Sequence, residues 1–260
     1  MDSILQFEED VRRNVEKLGT EPGLYRQTLD WMVKAGTVGS YTYNFRWLGR
    51  PIIQYPQDIV ALQEIVWATR PDLIIETGIA HGGSLILSAS LLAMLDLSDA
   101  AAEGRSLNPQ QSRRCVLGVD IDIRPHNRAA IERHPFASRI RMLQGSSIDP
   151  TVISEVRAIA SKYERVMVCL DSNHTHEHVR AELDAYARLT STGCYCIVFD
   201  TTIEDAPADF FANRPWGPGN SPMSAVHSWL PEHPDFELDR DIQHKLLITV
   251  ARDGYLRRTR

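Results

Sequence analysis

Asp72-Leu-Ile-Ile-Glu-Thr-Gly-Ile-Ala-His-Gly-Gly-Ser84 is the stretch of this sequence that decides the fold. It starts as a short apolar run, passes through a turn rich in glycine, and continues into the mostly apolar segment 84–97. A buried strand, a tight turn and a helix follow one another in this order, because glycine permits the turn and lets a ligand lie against the helix N-terminus. The stretch therefore predicts the first strand–helix unit of a parallel sheet.

Four more short runs rich in β-branched residues follow this unit, and helical patterns lie between them. Strands that alternate with helices of this length indicate a doubly wound, Rossmann-like α/β sheet. The five predicted strands cover 72–76, 115–120, 139–144, 165–170 and 194–199, and the predicted helices cover 84–97, 151–163 and 178–189.

The pattern changes at both ends of the chain. Segments 236–240 and 245–250 leave no room for a helix between them, which predicts an antiparallel C-terminal hairpin. Ahead of the sheet we expect helices over 1–35, an aromatic loop over 39–51 and an amphipathic helix over 58–69. Because no linker rich in Gly, Ser or Pro divides the chain, one domain is predicted. Residues 1–57 add helices and a loop to the main unit, 58–260, as a lid or as oligomer contacts.

Composition and charge are those of an ordinary globular protein. Of the 260 residues, 43% are hydrophobic and 24% charged, which excludes a disordered chain, a collagen-like repeat and a disulfide-stapled miniprotein. The net charge of −6 gives no general attraction to nucleic acid or to an anionic membrane surface. We find no apolar run near the roughly 18 residues that a membrane span needs. Four cysteines without a CxxC pair, and no signal-peptide pattern, predict free thiols and a cytoplasmic protein.

The turn after the first strand is the first candidate binding element, because ligands of parallel sheets bind beyond the carboxyl ends of the strands. Its residues are Glu76, Gly78, Ala80, Gly82 and Ser84. The turn departs from the phosphate-binding pattern GxGxxG, since alanine stands at the second glycine and the third comes early. A dinucleotide is therefore a weaker expectation than another ligand at this turn.

Polar residues also follow the second and third strands. Asp120 is placed to accept hydrogen bonds from the ribose hydroxyls of NAD, FAD or S-adenosylmethionine, or else is a solvated strand-end carboxylate. Ser147 lies in a small polar loop after the third strand, where it or Asp149 is expected to cap the next helix. An adenosine-containing ligand is thus one of two open interpretations.

The fourth and fifth strands end in Asp171 and Asp200, and adjacent strands would bring these two carboxylates together. Such a pair repels unless a proton or a cation lies between, which points to a hard divalent ion. His174 is placed as a general base near a metal-bound hydroxyl. Alternatively, Asp171, His174 and His178 form a two-histidine, one-carboxylate iron set. We otherwise expect His176 and His178 to be solvated residues of a first helical turn.

Three segments resemble the cephalosporin hydroxylase / rhamnosyl O-methyltransferase family and, more distantly, the macrolide sugar O-methyltransferases of antibiotic pathways. They are 75–84, 118–127 and 170–179, and the resemblance extends from about Tyr41 to the end of the chain. It implies a seven-stranded methyltransferase fold, with residues 58–260 as the domain that binds S-adenosylmethionine. It also implies Mg²⁺ and methyl transfer to a hydroxyl of a sugar or other small natural product.

The resemblance also implies roles for individual residues. His174 matches the general base of the macrolide sugar enzymes, and Asp171 and Asp200 match the metal ligands, with Asp171 also catalytic. The implied cofactor-binding residues are Glu76, Gly78, Ala80, Gly82, Ser84, Asp120, Ser147 and Asp171.

One departure from the family stands at the end of the fifth strand, where the family usually has paired acids and this chain has Phe199 before Asp200. The change weakens the metal site, passes the missing role to Glu204 or Asp205, or marks a changed activity. Three functions stay open: a magnesium-dependent O-methyltransferase, a non-haem iron hydroxylase of a small metabolite, and an accessory protein that binds S-adenosylmethionine without turnover.

Two further segments bear on partners. Segment 206–219 is rich in Pro, Gly and aromatic residues, which suits an acceptor-binding loop or lid, or a surface connection packed by its own aromatics. The N-terminal helices and the aromatic residues of 41–47 suit a homo-oligomer or a stacking surface for a substrate sugar. The expected partner is a small-molecule acceptor.

Overall fold

The strands of the computed structural model, which describes residues 3–260, form a two-stranded hairpin and a seven-stranded sheet. The hairpin comprises β1 Phe45–Trp47 and β2 Arg50–Ile52. The sheet comprises β3 Leu73–Thr77, β4 Cys115–Asp120, β5 Ile140–Gln144, β6 Val166–Leu170, β7 Tyr195–Val198, β8 Phe236–Leu238 and β9 Tyr255–Arg258.

The strand order of the large sheet is β5-β4-β3-β6-β7-β9-β8. Strands β3 to β7 run parallel, and β9 runs antiparallel to both of its neighbours, β7 and β8. The chain leaves β3 towards one edge through β4 and β5, and then returns to the other side through β6. The switch in strand order therefore lies between β3 and β6, where a crevice opens at the carboxyl ends of the strands.

The parallel strands have side chains buried on both faces, as their continuous apolar sequences predicted. Every residue of β3 and of β6 is buried, and the helices cover the sheet on both sides. The helices are α1 Ser3–Thr20, α2 Leu24–Gly39, α3 Pro56–Thr69, α4 Gly83–Glu103, α5 Pro125–Glu132, α6 Pro150–Ala160, α7 His176–Tyr186, α8 Pro222–Trp229 and α9 Arg240–Leu246. The predicted doubly wound α/β fold is confirmed.

The prediction of the C-terminal hairpin is wrong in its second strand. Residues 245–250 form the end of α9 and an irregular segment, and β8 pairs with β9 instead, so that Phe236 faces Arg258. Thr249 and the backbone amide of Val250 donate hydrogen bonds to the buried carboxylate of Asp58. The apolar run therefore packs against α3 rather than joining the sheet.

Helix α4 is long and apolar enough to cross a membrane by length and composition, contrary to the expectation from the sequence. Within the fold, 61% of its apolar window is buried. Leu85, Ile86, Leu92 and Leu95 are almost completely inaccessible to solvent. A helix that is hydrophobic all round and lies in a protein core has this composition, so packing accounts for it.

The N-terminal additions are helical, as predicted, from Ser3 onward, and Met1 and Asp2 lie outside the described residues. Helix α1 packs on α9, and the predicted aromatic loop contains a short 3-10 turn and the β1–β2 hairpin. The division of the chain at residue 57 stays a prediction. In the structure this position lies in the first turn of α3, which begins at Pro56. All four cysteines are buried free thiols.

Candidate functional site

A cavity of about 480 Å³ opens at the carboxyl ends of the strands, at the switch between β3 and β6. One side consists of the turn after β3 and the ends of β4, β6 and β7. The other side consists of α2, the β2–α3 connection and the segment 206–216. The cavity thus has one wall made by the sheet and one made by segments remote in sequence.

The turn after β3 is held against the end of β6 through Gly78. This glycine has a φ of 91°, and its amide donates to the carbonyl of Val119 over 2.8 Å. A Cβ at this position would overlap the backbone carbonyl oxygen of Asp171. Only glycine combines the left-handed conformation with this close approach. The turn and the residue after β6 therefore contact each other backbone to backbone.

Asp120, at the end of β4, orders the same turn. Its Oδ2 accepts hydrogen bonds from the amides of Ile79, over 2.7 Å, and Ala80, over 3.2 Å. Its Oδ1 accepts from the amide of Asp122 over 2.9 Å. Asp120 lines the cavity together with Gly78, Ala80 and Ser84. A carboxylate oxygen accepts more than one hydrogen bond, so Asp120 still has capacity for a ligand hydroxyl.

The structure places the other predicted cofactor residues behind the cavity wall. Glu76 is 4% exposed and accepts a hydrogen bond from the Ser84 hydroxyl, and burial raises the pKa of its carboxyl group to about 7. Gly82 is the N-cap residue directly before α4 and lies against the Ile131 side chain. Ser147 is buried, and its hydroxyl contacts Nε2 of His178 at 3.0 Å. Asp149, rather than Ser147, caps the helix that follows, α6.

Asp171, His174 and Asp200 come together in the middle of the cavity, as the strand ends predicted. One ligand atom from each lies within 4.8 Å of the others. The carboxylate of Asp171 accepts no hydrogen bond from any residue of 3–260, and that of Asp200 contacts only Nε2 of His174, at 3.3 Å. Burial first, and the neighbouring Asp200 second, raise the pKa of Asp171 well above its usual range. Two neighbouring carboxylates, of which one has no partner and the other only a histidine nitrogen among the described residues, are the donor set that a hard divalent cation takes.

His174 lies between this carboxylate pair and the far wall of the cavity. Its Nδ1 is buried and has no hydrogen-bond partner among the described residues. Its ring packs edge-on against Trp216, with 4.7 Å between the ring centroids. The imidazole therefore has a nitrogen free to take a proton and a fixed orientation beside the two aspartates.

The far wall is aromatic and apolar. Segment 206–219 lines the cavity with Phe210, Phe211 and Trp216, so it is more than a surface connection. Helix α2 adds Leu29, Met32 and Val33 to the same wall, and the Phe210 ring lies close to α2 at Gly36. The sequence analysis missed this contribution of α2, because an apolar helical face gives no signal of which ligand or segment it will contact.

A buried carboxylate that the sequence did not reveal lies behind Val250, a residue of the cavity lining. Asp58 of α3 is 2% exposed and accepts hydrogen bonds from the hydroxyls of Thr249 and Tyr255 and from the amide of Val250, which lines the cavity. Burial raises the pKa of Asp58 to about 6, although the hydrogen bonds oppose this shift. Its only sequence signal was an acid in the first turn of an apolar helix, where acids are common.

Comparison with known proteins places the chain in a family. A family model described as Rhamnosyl O-methyltransferase/CmcI matches residues 39–259. The chain belongs to this family. The resemblance seen in the sequence motifs is thereby confirmed.

Two relatives of this chain are named rhamnosyl O-methyltransferase. The rhamnosyl O-methyltransferase of Mycobacterium tuberculosis (strain ATCC 25618 / H37Rv) is 28% identical over 201 residues, which cover 76% of this chain and 72% of the relative. That of Mycobacterium leprae (strain TN) is 27% identical over 221 residues, covering 84% and 85%. A CmcI structure with Mg and SAM has a TM-score of 0.55 at 19% identity and covers 84% of this chain and 78% of that one, which supports the fold.

The resemblance implied paired acids at the end of the fifth strand, where this chain has Phe199 directly after β7. Phe199 is 7% exposed and packs in the hydrophobic core. Glu204 accepts hydrogen bonds from the amide of Gly219 and the hydroxyl of Ser221. Asp205 accepts from the hydroxyl of Tyr25 and from the guanidinium of Arg252, which also lies over the Tyr25 ring. Neither acid joins Asp171 and Asp200, so the suggested transfer of the missing role to Glu204 or Asp205 is wrong.

The alternative iron set is not assembled either. His178 Nε2 contacts the hydroxyls of Ser147 and Ser172 and lies 3.7 Å from the buried Glu182, away from the aspartate pair. His176 hydrogen-bonds through Nδ1 to Ser224 at 2.9 Å. Both histidines are half-buried and partnered, rather than solvated as expected.

Proposed function

We propose that the protein is an S-adenosylmethionine-dependent O-methyltransferase that uses Mg²⁺ and methylates a hydroxyl of a sugar or other small natural product. One observation carries the proposal. The neighbouring carboxylates of Asp171 and Asp200 lie with His174 beside a glycine turn, at the switch point of a methyltransferase-like sheet. Family membership and the names of the mycobacterial relatives support it.

The cofactor binds, in this proposal, along the turn after β3. Asp120 accepts hydrogen bonds from the ribose hydroxyls, and Gly78 and Ala80 leave room for the ligand against the backbone. Glu76 and Gly82 support the turn from behind, with Ser84 linking Glu76 to the cavity surface. Ser147 acts from behind the wall through its contacts with His178.

The metal fits between Asp171 and Asp200, because the two carboxylates and His174 lie within reach of one ion and neither carboxylate pairs with a lysine or arginine of residues 3–260. Two carboxylates suffice for Mg²⁺, which keeps several waters in most protein sites. A bound divalent cation supplies positive charge that lowers the pKa of a neighbouring hydroxyl. The loss of an acid at Phe199 thus reduces the number of ligands without removing the site.

The reaction needs one proton transfer and one methyl transfer. His174 accepts the proton of the acceptor hydroxyl, and the acceptor oxygen bonds to the methyl carbon as the bond from that carbon to sulfur breaks. The aromatic wall of Phe210, Phe211 and Trp216 excludes water and holds the acceptor in line with the methyl group. Alignment of two bound molecules supplies a large part of the rate increase in such reactions.

Calorimetric titration with S-adenosylmethionine and S-adenosylhomocysteine, each with Mg²⁺ and again with chelator, tests the proposal. We expect micromolar binding that weakens about 10- to 100-fold in Asp120→Ala, the range for lost hydrogen bonds to a charged group. The exposed neighbour Asp122 provides the matched control, and Asp122→Ala should bind as the parent does. Absence of binding under every condition would overturn the proposal and direct attention to the iron content of the protein.

Turnover separates the enzyme from the accessory protein that Phe199 also suggests. Release of S-adenosylhomocysteine with a panel of hydroxylated acceptors supports the enzyme. Metal binding that appears only in Phe199→Glu would instead support the accessory role. Two further parts of the proposal are a cytoplasmic location, supported by the free thiols, and a homo-oligomer, supported by exposed apolar side chains on α1 such as Leu5 and Phe7.

A further inference from the structure

Arg214 differs from every other residue that lines the cavity. It is the one lysine or arginine in the cavity lining of the described chain, and it lies on the far wall. The acids in that lining are Asp120, Asp171 and Asp200. A cation on the acceptor side of an otherwise acidic cavity attracts acceptors that carry a negative charge.

The guanidinium of Arg214 has no acidic partner within residues 3–260. No carboxylate lies within 4.0 Å of it, and its side chain makes no hydrogen bond. Arg252, by contrast, binds the carboxylate of Asp205 through two nitrogens. Arg214 therefore keeps the full donor capacity of its planar fork for a ligand.

Arg214 is exposed at the cavity surface, and its guanidinium packs on an aromatic ring in a segment that hydrogen bonds hold. The guanidinium lies over the Trp216 ring at 5.4 Å, and the same ring packs against His174. Asn220 donates from its side chain to the carbonyl of Pro215 over 2.8 Å, and its backbone pairs with Gly217. Because proline follows Arg214, the backbone of Arg214 is restricted to extended conformations. One aromatic ring thus separates the free cation from the proposed base.

We propose that Arg214, held over Trp216, forms a subsite for an anionic group on the acceptor, a carboxylate or phosphate attached to the sugar that is methylated. The inference rests on the proposed function, because it places the methylated hydroxyl at His174. The guanidinium fork matches a carboxylate or phosphate in two parallel hydrogen bonds. It also offsets the repulsion that the cavity aspartates exert on an anionic acceptor.

Three methyl glycosides test the subsite in ligand-detected NMR titrations of the full chain with S-adenosylhomocysteine and Mg²⁺. They are the neutral methyl β-D-glucopyranoside, the corresponding glucuronide with a carboxylate, and the 6-phosphate. We expect at least one charged probe to bind about tenfold more tightly than the neutral one, the lower end for charge-assisted hydrogen bonds. A preference for the glucuronide alone identifies a sugar acid, and a preference for the phosphate alone identifies a phosphorylated sugar.

Substitutions test whether Arg214 causes the preference for the charged probes. Arg214→Gln should abolish the advantage of the charged probe, and Arg214→Lys should keep part of it, since lysine retains the charge without the fork. Arg133 is exposed at the end of α5 and has no side-chain partner among the described residues, so Arg133→Gln is the matched control that should keep the full advantage. A preference that survives Arg214→Gln would place the anion elsewhere.

Failure of the subsite is distinguishable from failure of the proposed function. Binding of S-adenosylhomocysteine is measured first, and its absence would overturn the methyltransferase. If S-adenosylhomocysteine binds and the charged probes show no advantage, including the case in which none of the sugars binds, the subsite is wrong and the methyltransferase stands.

Discussion

Two aspartates near the cavity, Asp58 and Asp171, have different surroundings. Asp58 accepts three hydrogen bonds, from two hydroxyls and one backbone amide. Asp171 accepts none from the described residues and has Asp200 as its neighbour. Burial raises the pKa of both carboxyl groups. The described chain therefore supplies hydrogen-bond donors to the carboxylate of Asp58 and none to that of Asp171.

The difference distinguishes a structural acid from a functional one. Desolvating a carboxylate costs several kcal/mol unless partners compensate, and three donors compensate at Asp58. No donor in the described chain offsets the desolvation of the Asp171 carboxylate, so this group lowers the stability of the fold until a ligand binds it. Burial disfavours the charge on both carboxylates, but only the substitution of Asp58 also removes hydrogen bonds that the folded chain makes.

Asp171→Asn should have the largest effect. We expect kcat to fall about a thousandfold or more, because a cation-binding carboxylate contributes several kcal/mol to charge stabilisation. The free energy of unfolding in chelator should meanwhile rise by about 1–3 kcal/mol, since an unpartnered enclosed charge is removed. Steady-state kinetics and chemical denaturation measure the two effects. Loss of stability in chelator would mean that Asp171 has partners the structure does not show.

His174→Ala should lower kcat by about 10²- to 10⁴-fold, the usual contribution of a general base. Affinity for Mg²⁺, measured by calorimetry, should stay within a few-fold of the parent, because the two aspartates remain. Loss of metal binding in this variant would instead make His174 a third ligand.

Asp58→Asn should change the pH dependence of stability. The pKa of Asp58 in the folded protein is about 6, above its ordinary value of 3.8, so the folded state holds this proton more tightly than the unfolded state. Its contribution to stability is present below about pH 4 and is lost as the pH rises to about 6. The parent should therefore lose about 2 kcal/mol relative to the variant between pH 4 and pH 7.

Denaturation curves of both proteins at several pH values measure this difference. Shifts from other groups, such as the pKa of Glu76 raised to about 7, cancel in the comparison. A difference between parent and variant that does not change with pH would show that Asp58 has an ordinary pKa.

Asp205→Asn should have the smallest effect. Asp205 resembles Asp58, because Tyr25 and Arg252 already satisfy its carboxylate. We expect a loss of about 1–2 kcal/mol in the free energy of unfolding, and unchanged affinity for Mg²⁺. Weaker metal binding in this variant would return Asp205 to the metal site.

The sheet and the positions at its carboxyl edge could be predicted because the signals are local. Buried parallel strands read as continuous apolar runs, and the residue that follows each run lies at the edge. Asp120, Asp171 and Asp200 were found in this way. The same rule failed for 245–250, an apolar run whose partner is Asp58 on α3 rather than a strand.

The partners of polar groups at the site could not be predicted, because they come from distant parts of the chain. Asp205 is bound by Tyr25, 180 residues earlier, and Asp58 by Tyr255, 197 residues later. Nothing in the sequence around an acid says whether such a partner exists. Whether an aspartate is satisfied or free is therefore a property of the folded chain, and that property separates Asp171 from Asp205.

The contact between Gly78 and Asp171 determines how far the turn after β3 lies from the end of β6. The methyl donor is proposed to lie along the turn at Gly78, and the acceptor oxygen beside Asp171. A methyl side chain at position 78 would push these two backbones apart, since its carbon would overlap the carbonyl oxygen. In the proposed reaction, the distance between methyl donor and acceptor therefore depends on the direct backbone contact between Gly78 and Asp171, which any side chain at position 78 would disrupt.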